Sequence, residues 1–150
     1  MVARCFDDLA PEEQGLHGPY VTALEEMVAF ARRWDPLPIH VDVGGPGERV
    51  HGTLIASSIY TLAIKQRLIT ETPWRDAVIG AMGHDEMRFP KPVRPGDALR
   101  LCWRVVSLRA SQSKPDRGIA VFAMDMLNQD DAVVLHYLDT VMLARRRGAA

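Results

Sequence analysis

The segment 53–69, TLIASSIYTLAIKQRLI, is the feature that most restricts how this chain can fold. Ser57 or Ser58 can cap a helix that runs to about Ile69. The apolar residues of this helix lie on almost all of its sides: Ile59, Leu62, Ala63, Ile64 and Leu68. A helix that is apolar all round is usually buried on most sides. The rest of the chain must therefore cover it.

The second half of the chain contains strand-like runs that could pack around this helix. Four strand-like runs occupy residues 76–89, 98–110, 118–130 and 132–144, and turn-forming residues separate them. Apolar and polar residues alternate most clearly between Leu99 and Val105. Helices followed by an antiparallel run of strands predict the α+β class. We expect an antiparallel sheet wrapped around the long central helix.

The first half is predicted to be mostly helix and loop. Residues 1–18 are interpreted as a loop-rich lead-in and residues 18–22 as a short strand. Thr22 and Glu25 fit a capping box that would open a helix. That helix should end at Asp35, because a residue before proline disfavours the α conformation. Residues 43–52 contain four glycines and one proline and are predicted to be a loop.

Length and charge limit the possible classes of protein. A chain of 150 residues fits one domain, 1–150, with a tail at 146–150. The hydrophobic content of 47% and charged content of 25% are typical of a globular protein in water. A net charge of -1 gives no global field to attract nucleic acid or an anionic membrane. The basic residues 145–147 have no aromatic partners for base stacking and are interpreted as a solvated tail.

The cysteines and the N-terminus point to the cytoplasm. Cys5 and Cys102 are too few for a disulfide scaffold and show no zinc-ligand spacing. His40, Asp42 and His51 are not completed to a metal site by any residue at ligand spacing, so no metal is expected. The sequence shows no secretory-type apolar segment and no apolar run of ~20 residues that could span a bilayer.

The stretch 34–42, WDPLPIHVD, carries the strongest candidates for chemistry. Each of its prolines fixes a φ angle, so the segment that joins Asp35 to His40 loses freedom. An isolated Asp-Pro is usually a turn and an isolated His is usually a packed or surface residue. The same two side chains could instead act as an acid-base pair on one water molecule. The residues of this stretch alone leave both interpretations open.

Several segments together resemble the MaoC-like dehydratase family, which includes the (R)-specific enoyl-CoA hydratases and has the hotdog fold. They are FARRWDPLPIHVD, LIASS, MRFPKPVRPGDALRL and RASQSKPDRGIAVF. The resemblance covers roughly residues 19 to 145. Its most specific motif, Asp-x-(Asn or Gln)-Pro-x-His, matches Asp35 to His40. Ser58 lies eighteen residues after His40, at the family's distance for the start of the central helix.

The resemblance implies a reaction and a site. The reaction is reversible syn addition of water to a trans-2-enoyl thioester. Asp35 and His40 match the family's catalytic pair. The family's oxyanion donor, a backbone N–H at the start of the central helix that is usually supplied by Gly, matches Ser58. Leu37 stands where the family has Asn or Gln. The resemblance also implies a homodimer or a higher oligomer, with the site near the interface.

Further residues are candidates for contact with substrate. Coenzyme A is part of the expected acyl-CoA substrate, and no separate cofactor is expected. Loop cations often bind phosphate groups, although such charges are also common on solvated loops. The candidate substrate-binding residues are Leu37, Ser57, Lys91, Arg94 and Lys114.

Two other functions compete with hydration. The first is a catalytically silent hotdog subunit that binds acyl-CoA, which the departures at Leu37 and Ser58 favour. The second is a hotdog thioesterase, in which an acid activates water against the thioester carbonyl carbon. The His40 partner at the family spacing favours hydration over hydrolysis. Turnover that depends on Asp35 separates enzyme from binder, and release of free thiol separates thioesterase from hydratase.

Overall fold

A computed structural model describes residues 3–146 as four helices and five strands, with short 3-10 turns at Phe6–Asp8 and Arg75–Ala77. The helices are α1 (Leu24–Trp34), α2 (Pro38–Val41), α3 (Pro46–His51) and α4 (Ser58–Ile69). The strands are β1 (Gln14–Val21), β2 (Val78–Arg88), β3 (Ala98–Ala110), β4 (Arg117–Leu127) and β5 (Val133–Ala144). Among the residues from 3 to 146, no helix is long and apolar enough to cross a bilayer.

The five strands form one antiparallel sheet in the order β1-β3-β4-β5-β2, and α4 packs against one of its faces. Buried and half-buried residues alternate along much of β3 to β5, because successive side chains point to opposite faces. From the helix, Tyr60, Ile64 and Leu68 join the same core as the buried sheet residues. Burying each large apolar side chain contributes about 1.5–3 kcal/mol. A sheet wrapped around one central helix is the hotdog architecture.

Aromatic side chains fill the space beside α4. The ring of Trp74 stacks on Phe122 with 4.5 Å between centroids. Trp103 meets both rings edge-on, with centroids 6.0 Å away. Such pairs contribute about 0.5–1.5 kcal/mol beyond the burial of their area. Trp34, in contrast, ends α1 with 59% of its surface exposed.

Two charged residues, Lys65 on α4 and Asp139 on β5, are also buried in this core, with 4% and 3% exposure. The Lys65 ammonium lies 5.1 Å from the centre of the Tyr137 ring. The Tyr137 hydroxyl is 3.5 Å from Asp139 Oδ2, and His84 Nδ1 is 3.1 Å from Asp139 Oδ1. Burial lowers the pKa of Lys65, and the charge of Asp139 opposes that shift. Burial raises the pKa of Asp139, and the charges of His84 and then Lys65 oppose that shift.

The N-terminal part differs from the sequence prediction. The strand β1 begins at Gln14, inside the predicted loop-rich lead-in, and is longer than residues 18–22. The predicted capping box is wrong, because α1 begins at Leu24 after Ala23. The Thr22 hydroxyl instead donates to the carbonyl of Arg94 at 2.7 Å. A long-range hydrogen bond therefore replaces the local one that the spacing suggested.

Two further segments differ from expectation. The predicted loop 43–52 contains α3, which starts at Pro46 and ends before Gly52 in the left-handed conformation (φ 77°). Proline at the first position and glycine past the end are typical helix boundaries. Arg145 pairs with Asp7 and Arg146 with Asp8, so the start of the basic segment is not simply solvated. Residues 147–150 of the predicted tail lie outside the described residues.

Candidate active site

Asp35 and His40 approach each other beside the start of α4. Asp35 directly follows α1, where its N–H donates to the carbonyl of Ala31 at 2.8 Å. His40 lies in α2, which begins at Pro38, a favoured residue for the first helical position. The imidazole Nε2 lies 3.5 Å from Asp35 Oδ2. The two prolines thus have different structural positions: Pro36 lies just past the end of α1, and Pro38 is the first residue of α2.

A second contact fixes the tautomer of His40. Its Nδ1 lies 2.8 Å from the carbonyl oxygen of Ile55. A carbonyl oxygen can only accept, so Nδ1 must carry the hydrogen. In the neutral imidazole, Nε2 then has a free lone pair, and this lone pair is on the side of Asp35. The ring is 7% exposed, so its surroundings hold it in place.

Ser57 fixes the orientation of the Asp35 carboxylate. Its hydroxyl donates to Asp35 Oδ2 at 2.6 Å and accepts the N–H of Ile59 at 3.2 Å. The second bond makes Ser57 the N-cap of α4, one of the two caps, Ser57 or Ser58, that the sequence allowed. Ser57 is 1% exposed and was a candidate for substrate contact. The structure places its hydroxyl against Asp35 and the first turn of α4.

Together these contacts leave two hydrogen-bond acceptors facing each other. Asp35 Oδ2 accepts from Ser57, and His40 Nε2 has a lone pair. A water molecule at ~2.8 Å from each could donate one hydrogen to each acceptor. Its oxygen lone pairs would then be free to attack an electrophile. The pair can therefore orient a water molecule and accept a proton from it.

A cavity of about 330 Å³ adjoins His40, and Asp35 is not part of its wall. Its wall includes His40 itself, two residues of α4, the segment between β2 and β3, and the start of β5. The lining residues in these elements include Ser58, Thr61, Phe89, Lys91, Val93 and Val134. A larger cavity of about 710 Å³ lies between the N-terminal segment and the end of β5, and its lining includes neither Asp35 nor His40.

Ser58 provides a backbone donor at this cavity. It is the first residue of α4, and the first N–H groups of a helix have no acceptor within the helix. Ser57 Oγ accepts from Ile59, and within residues 3–146 the Ser58 N–H has no acceptor. The helix dipole also favours negative charge at this end.

The other candidate substrate-binding residues lie at different distances from the cavity. Lys91 lines the cavity, and Leu37 precedes α2 with 53% of its surface exposed. The Arg94 guanidinium donates to the carbonyl of His51 at 2.5 Å. Lys114 lies in the turn between β3 and β4, at the far end of a 13-residue strand from the cavity. A strand of that length spans about 40 Å, so Lys114 does not reach the cavity of its own chain.

Some residues of the site could not be identified from the sequence. Thr61 could have been found, because it follows Ser58 by three positions and so lies on the same side of α4. The carbonyl of Ile55, which orients His40, is fifteen residues from it and carries no side-chain signal. Val134 reaches the cavity only through the pairing of β5 in the sheet.

Comparison with known proteins agrees with this architecture. The MaoC-like domain family matches residues 9–120. The uncharacterized protein YdeM of Bacillus subtilis (strain 168) is 31% identical over 123 residues, which cover 81% of this chain and 85% of that protein. The crystal structure of a MaoC-like dehydratase from Rhodospirillum rubrum is 32% identical. It superposes with a TM-score of 0.88 over 96% of this chain and 99% of that chain.

A more distant structure has the same fold. The unliganded R-hydratase PhaJ1 from Pseudomonas aeruginosa is 20% identical and superposes with a TM-score of 0.75. The match covers 95% of this chain and 86% of that chain. A conserved hypothetical protein from Mycobacterium tuberculosis that has a double hotdog fold is 23% identical and superposes with a TM-score of 0.78 over 99% of this chain and 46% of that chain. The hotdog fold predicted for this sequence is thereby confirmed. The chain belongs to the MaoC-like domain family.

Proposed function

We propose that this protein catalyses the reversible hydration of a trans-2-enoyl-CoA thioester. The observation that carries the proposal is the pair of acceptors, Asp35 Oδ2 and His40 Nε2, 3.5 Å apart. His40 of this pair lines a cavity that Ser58, the first residue of α4, also lines. One site thus combines groups that orient water with a donor for an oxyanion, and the reaction needs both.

The proposed reaction starts with the water held between Asp35 and His40. The water oxygen bonds to the β-carbon, while His40 Nε2 accepts one of its protons. A positioned base of this kind contributes typically ~100- to 10,000-fold. The resulting imidazolium is stabilised by the Asp35 carboxylate. It then returns the proton to the α-carbon on the same face, so that the sum is syn addition of water.

Attack on the β-carbon moves an electron pair onto the thioester oxygen. The Ser58 N–H would donate to that enolate oxygen, and the dipole of α4 would stabilise the charge. When the α-carbon takes its proton, the electron pair returns and the thioester carbonyl is restored. All of these groups belong to the protein, the substrate or water, so we propose no cofactor.

The substrate contacts follow from position. Lys91 at the cavity suits an anionic group of coenzyme A. Leu37, whose N–H donates to the carbonyl of Asp35, offers an exposed apolar surface nearby. Arg94 could bind a phosphate beside its bond to His51. Lys114 could contact substrate only in the site of another copy. The name R-hydratase, carried by a protein of the same fold, supports this class of reaction.

The test follows enoyl-thioester absorbance with short trans-2-enoyl-CoA substrates, and a parallel sample contains a thiol reagent. Hydration predicts loss of absorbance without release of thiol. Release of thiol would instead identify a thioesterase. Folded protein that is silent in both assays over a range of chain lengths would favour the acyl-CoA-binding subunit. Ser58→Gly is then the first variant to make, since Gly is usual at that position in the family.

We further propose that two copies associate through β2. This strand is an edge of the sheet, and an unpaired edge strand can pair with another chain. Its exposed apolar residues are Val78, Ile79 and Met82. Phe89, just past the strand, is 42% exposed and lines the cavity, so a partner on this edge would lie close to the site.

The free cysteines, Cys5 and Cys102, suit the reducing cytoplasm.

Ile79→Lys is expected to shift the protein from dimer to monomer, because it places a charge in the proposed apolar interface. Light scattering coupled to size-exclusion chromatography measures the mass. Val50→Lys is the control, since Val50 is 78% exposed and belongs to α3, not to β2. A wild-type monomer, or an Ile79→Lys dimer as stable as the wild type, would contradict the proposal.

A further inference from the structure

We propose that Ser57 is a positioning residue that sets the distance between the Asp35 carboxylate and the backbone donor of α4. The inference rests on the proposed function, in which these two groups act on opposite ends of the enoyl thioester. Ser57 does not need to touch the substrate for this role. It acts through the two groups that its hydroxyl joins.

The first step of the argument concerns the single hydrogen of the Ser57 hydroxyl. Asp35 Oδ2 takes it at 2.6 Å, a short distance typical of a hydroxyl bound to an ionised oxygen. The hydroxyl oxygen meanwhile accepts the N–H of Ile59. The donor and acceptor functions of this group are therefore both used within the protein.

The second step concerns what these two bonds connect. Asp35 follows the end of α1, and Ile59 is in the first turn of α4. These residues lie 24 positions apart in the sequence, one just past the end of α1 and the other inside α4. The Ser57 hydroxyl joins them across a small gap, right beside Ser58. The two bonds thus fix the position of the Asp35 carboxylate relative to the N–H of Ser58.

The third step is the effect on chemistry. The β-carbon and the carbonyl oxygen of an enoyl thioester belong to one rigid conjugated group. The attacking water and the N–H that donates to the carbonyl oxygen must therefore be held at a fixed distance from each other. Reacting groups displaced by about 1 Å can reduce a rate ~100-fold. Ser57 is 1% exposed, so water cannot easily replace its hydroxyl if it is removed. Removal of the Ser57 hydroxyl should therefore leave the Asp35 carboxylate without this hydrogen bond and free to change its orientation.

Ser57→Ala is the decisive variant, and Thr72→Ala is its matched control. Thr72 is also 1% exposed, and its hydroxyl donates to the carbonyl of Ile69 at 2.8 Å, at the other end of α4. Each variant removes one buried hydroxyl that bonds to the backbone of the same helix. Only Ser57 bonds to Asp35, so a general loss of helix stability affects both variants and a loss of positioning affects one.

Two measurements are made on both variants. In the hydration assay we expect Ser57→Ala to lower kcat about 10- to 100-fold with KM nearly unchanged, and Thr72→Ala to leave kcat near the wild type. In ¹³C NMR, the side-chain carboxyl signal of Asp35 should move in Ser57→Ala and stay in place in Thr72→Ala. The signal is assigned by its absence in Asp35→Asn.

The NMR measurement does not depend on turnover. If the wild type hydrates no enoyl-CoA, the proposed function fails, and the Asp35 signal alone decides whether Ser57 holds the carboxylate. An unmoved signal in Ser57→Ala would overturn the inference. So would equal losses of kcat in Ser57→Ala and Thr72→Ala, or a wild-type kcat in Ser57→Ala.

Discussion

Asp35→Asn should lower kcat/KM for enoyl-CoA hydration by ~100- to 10,000-fold, the range for loss of a positioned acid-base group. The amide keeps the size of the side chain but removes its charge. It can no longer stabilise a protonated His40, whose Nε2 lies 3.5 Å away. An amide nitrogen placed toward Ser57 would also lose the 2.6 Å hydrogen bond. Initial rates on a short trans-2-enoyl-CoA measure the effect.

The control for this variant is Asp42→Asn. Asp42 is an exposed carboxylate just past α2, on the same segment of chain as the proposed pair. We expect it to keep nearly the wild-type rate, because its carboxylate has no hydrogen bond to His40 and it does not line the cavity. Circular dichroism checks that both variants are folded. An Asp35→Asn enzyme as active as Asp42→Asn would remove Asp35 from the mechanism.

The second large effect is expected from the buried charges Lys65 and Asp139. Removing one charge of this buried set, which also includes His84 at 3.1 Å from Asp139, leaves the remaining charges less compensated, at a cost of roughly 3 kcal/mol. We therefore expect Lys65→Met and Asp139→Leu each to lower the free energy of unfolding by about that amount. The double variant should recover the loss and can exceed the wild type, because apolar replacement of buried charges is often neutral or stabilising.

Urea denaturation measures these differences, and Lys114→Met is the control because Lys114 lies in an exposed turn. Strict additivity of the two single losses in the double variant would contradict the coupling of Lys65 and Asp139. Little loss in either single variant would show that these positions do not hold buried charge.

The same pair predicts how stability depends on pH. Burial lowers the pKa of Lys65 from its ordinary 10.5, so the unfolded chain holds that proton more tightly. The contribution of Lys65 to stability therefore rises as the pH increases from the lowered pKa toward 10.5. Burial raises the pKa of Asp139 above its ordinary 3.8, so the folded state holds that proton more tightly. The contribution of Asp139 rises as the pH falls toward 3.8.

The two groups together thus contribute least to stability at pH values between the raised pKa of Asp139 and the lowered pKa of Lys65. The double variant Lys65→Met/Asp139→Leu should show a flatter dependence of the free energy of unfolding on pH. Urea denaturation at acidic, neutral and alkaline pH measures it. The same curvature in the wild type and the double variant would contradict the assignment.

Local patterns predicted much of the fold. The strand-like run at 98–110 coincides with β3, and the helix from Ser58 to Ile69 is capped by Ser57, one of the two predicted caps. Both signals come from residues close together in the chain, so sequence alone contains them. Gly52 and Pro46 also mark a helix, but the glycine content of 43–52 favoured a loop because it outweighed these boundary residues.

The site was less accessible to prediction, because its decisive contacts join distant residues. Asp35 and His40 could be chosen from their spacing and from the family motif. The bond from Ser57 to Asp35 spans 22 positions, and the bond from His40 to Ile55 spans 15. Neither has a local pattern. Lys65, in contrast, could have been marked as buried, since it lies in the middle of a helix that is apolar all round.

The most direct test of the central claim is mass spectrometry after incubation of a short trans-2-enoyl-CoA with the protein in water enriched in heavy oxygen. The proposed reaction predicts one heavy oxygen on the acyl chain of an intact thioester, formed by the wild type and nearly lost in Asp35→Asn. Heavy oxygen in a free carboxylic acid, with release of coenzyme A, would contradict hydration. An unchanged thioester in the presence of folded protein would contradict it as well.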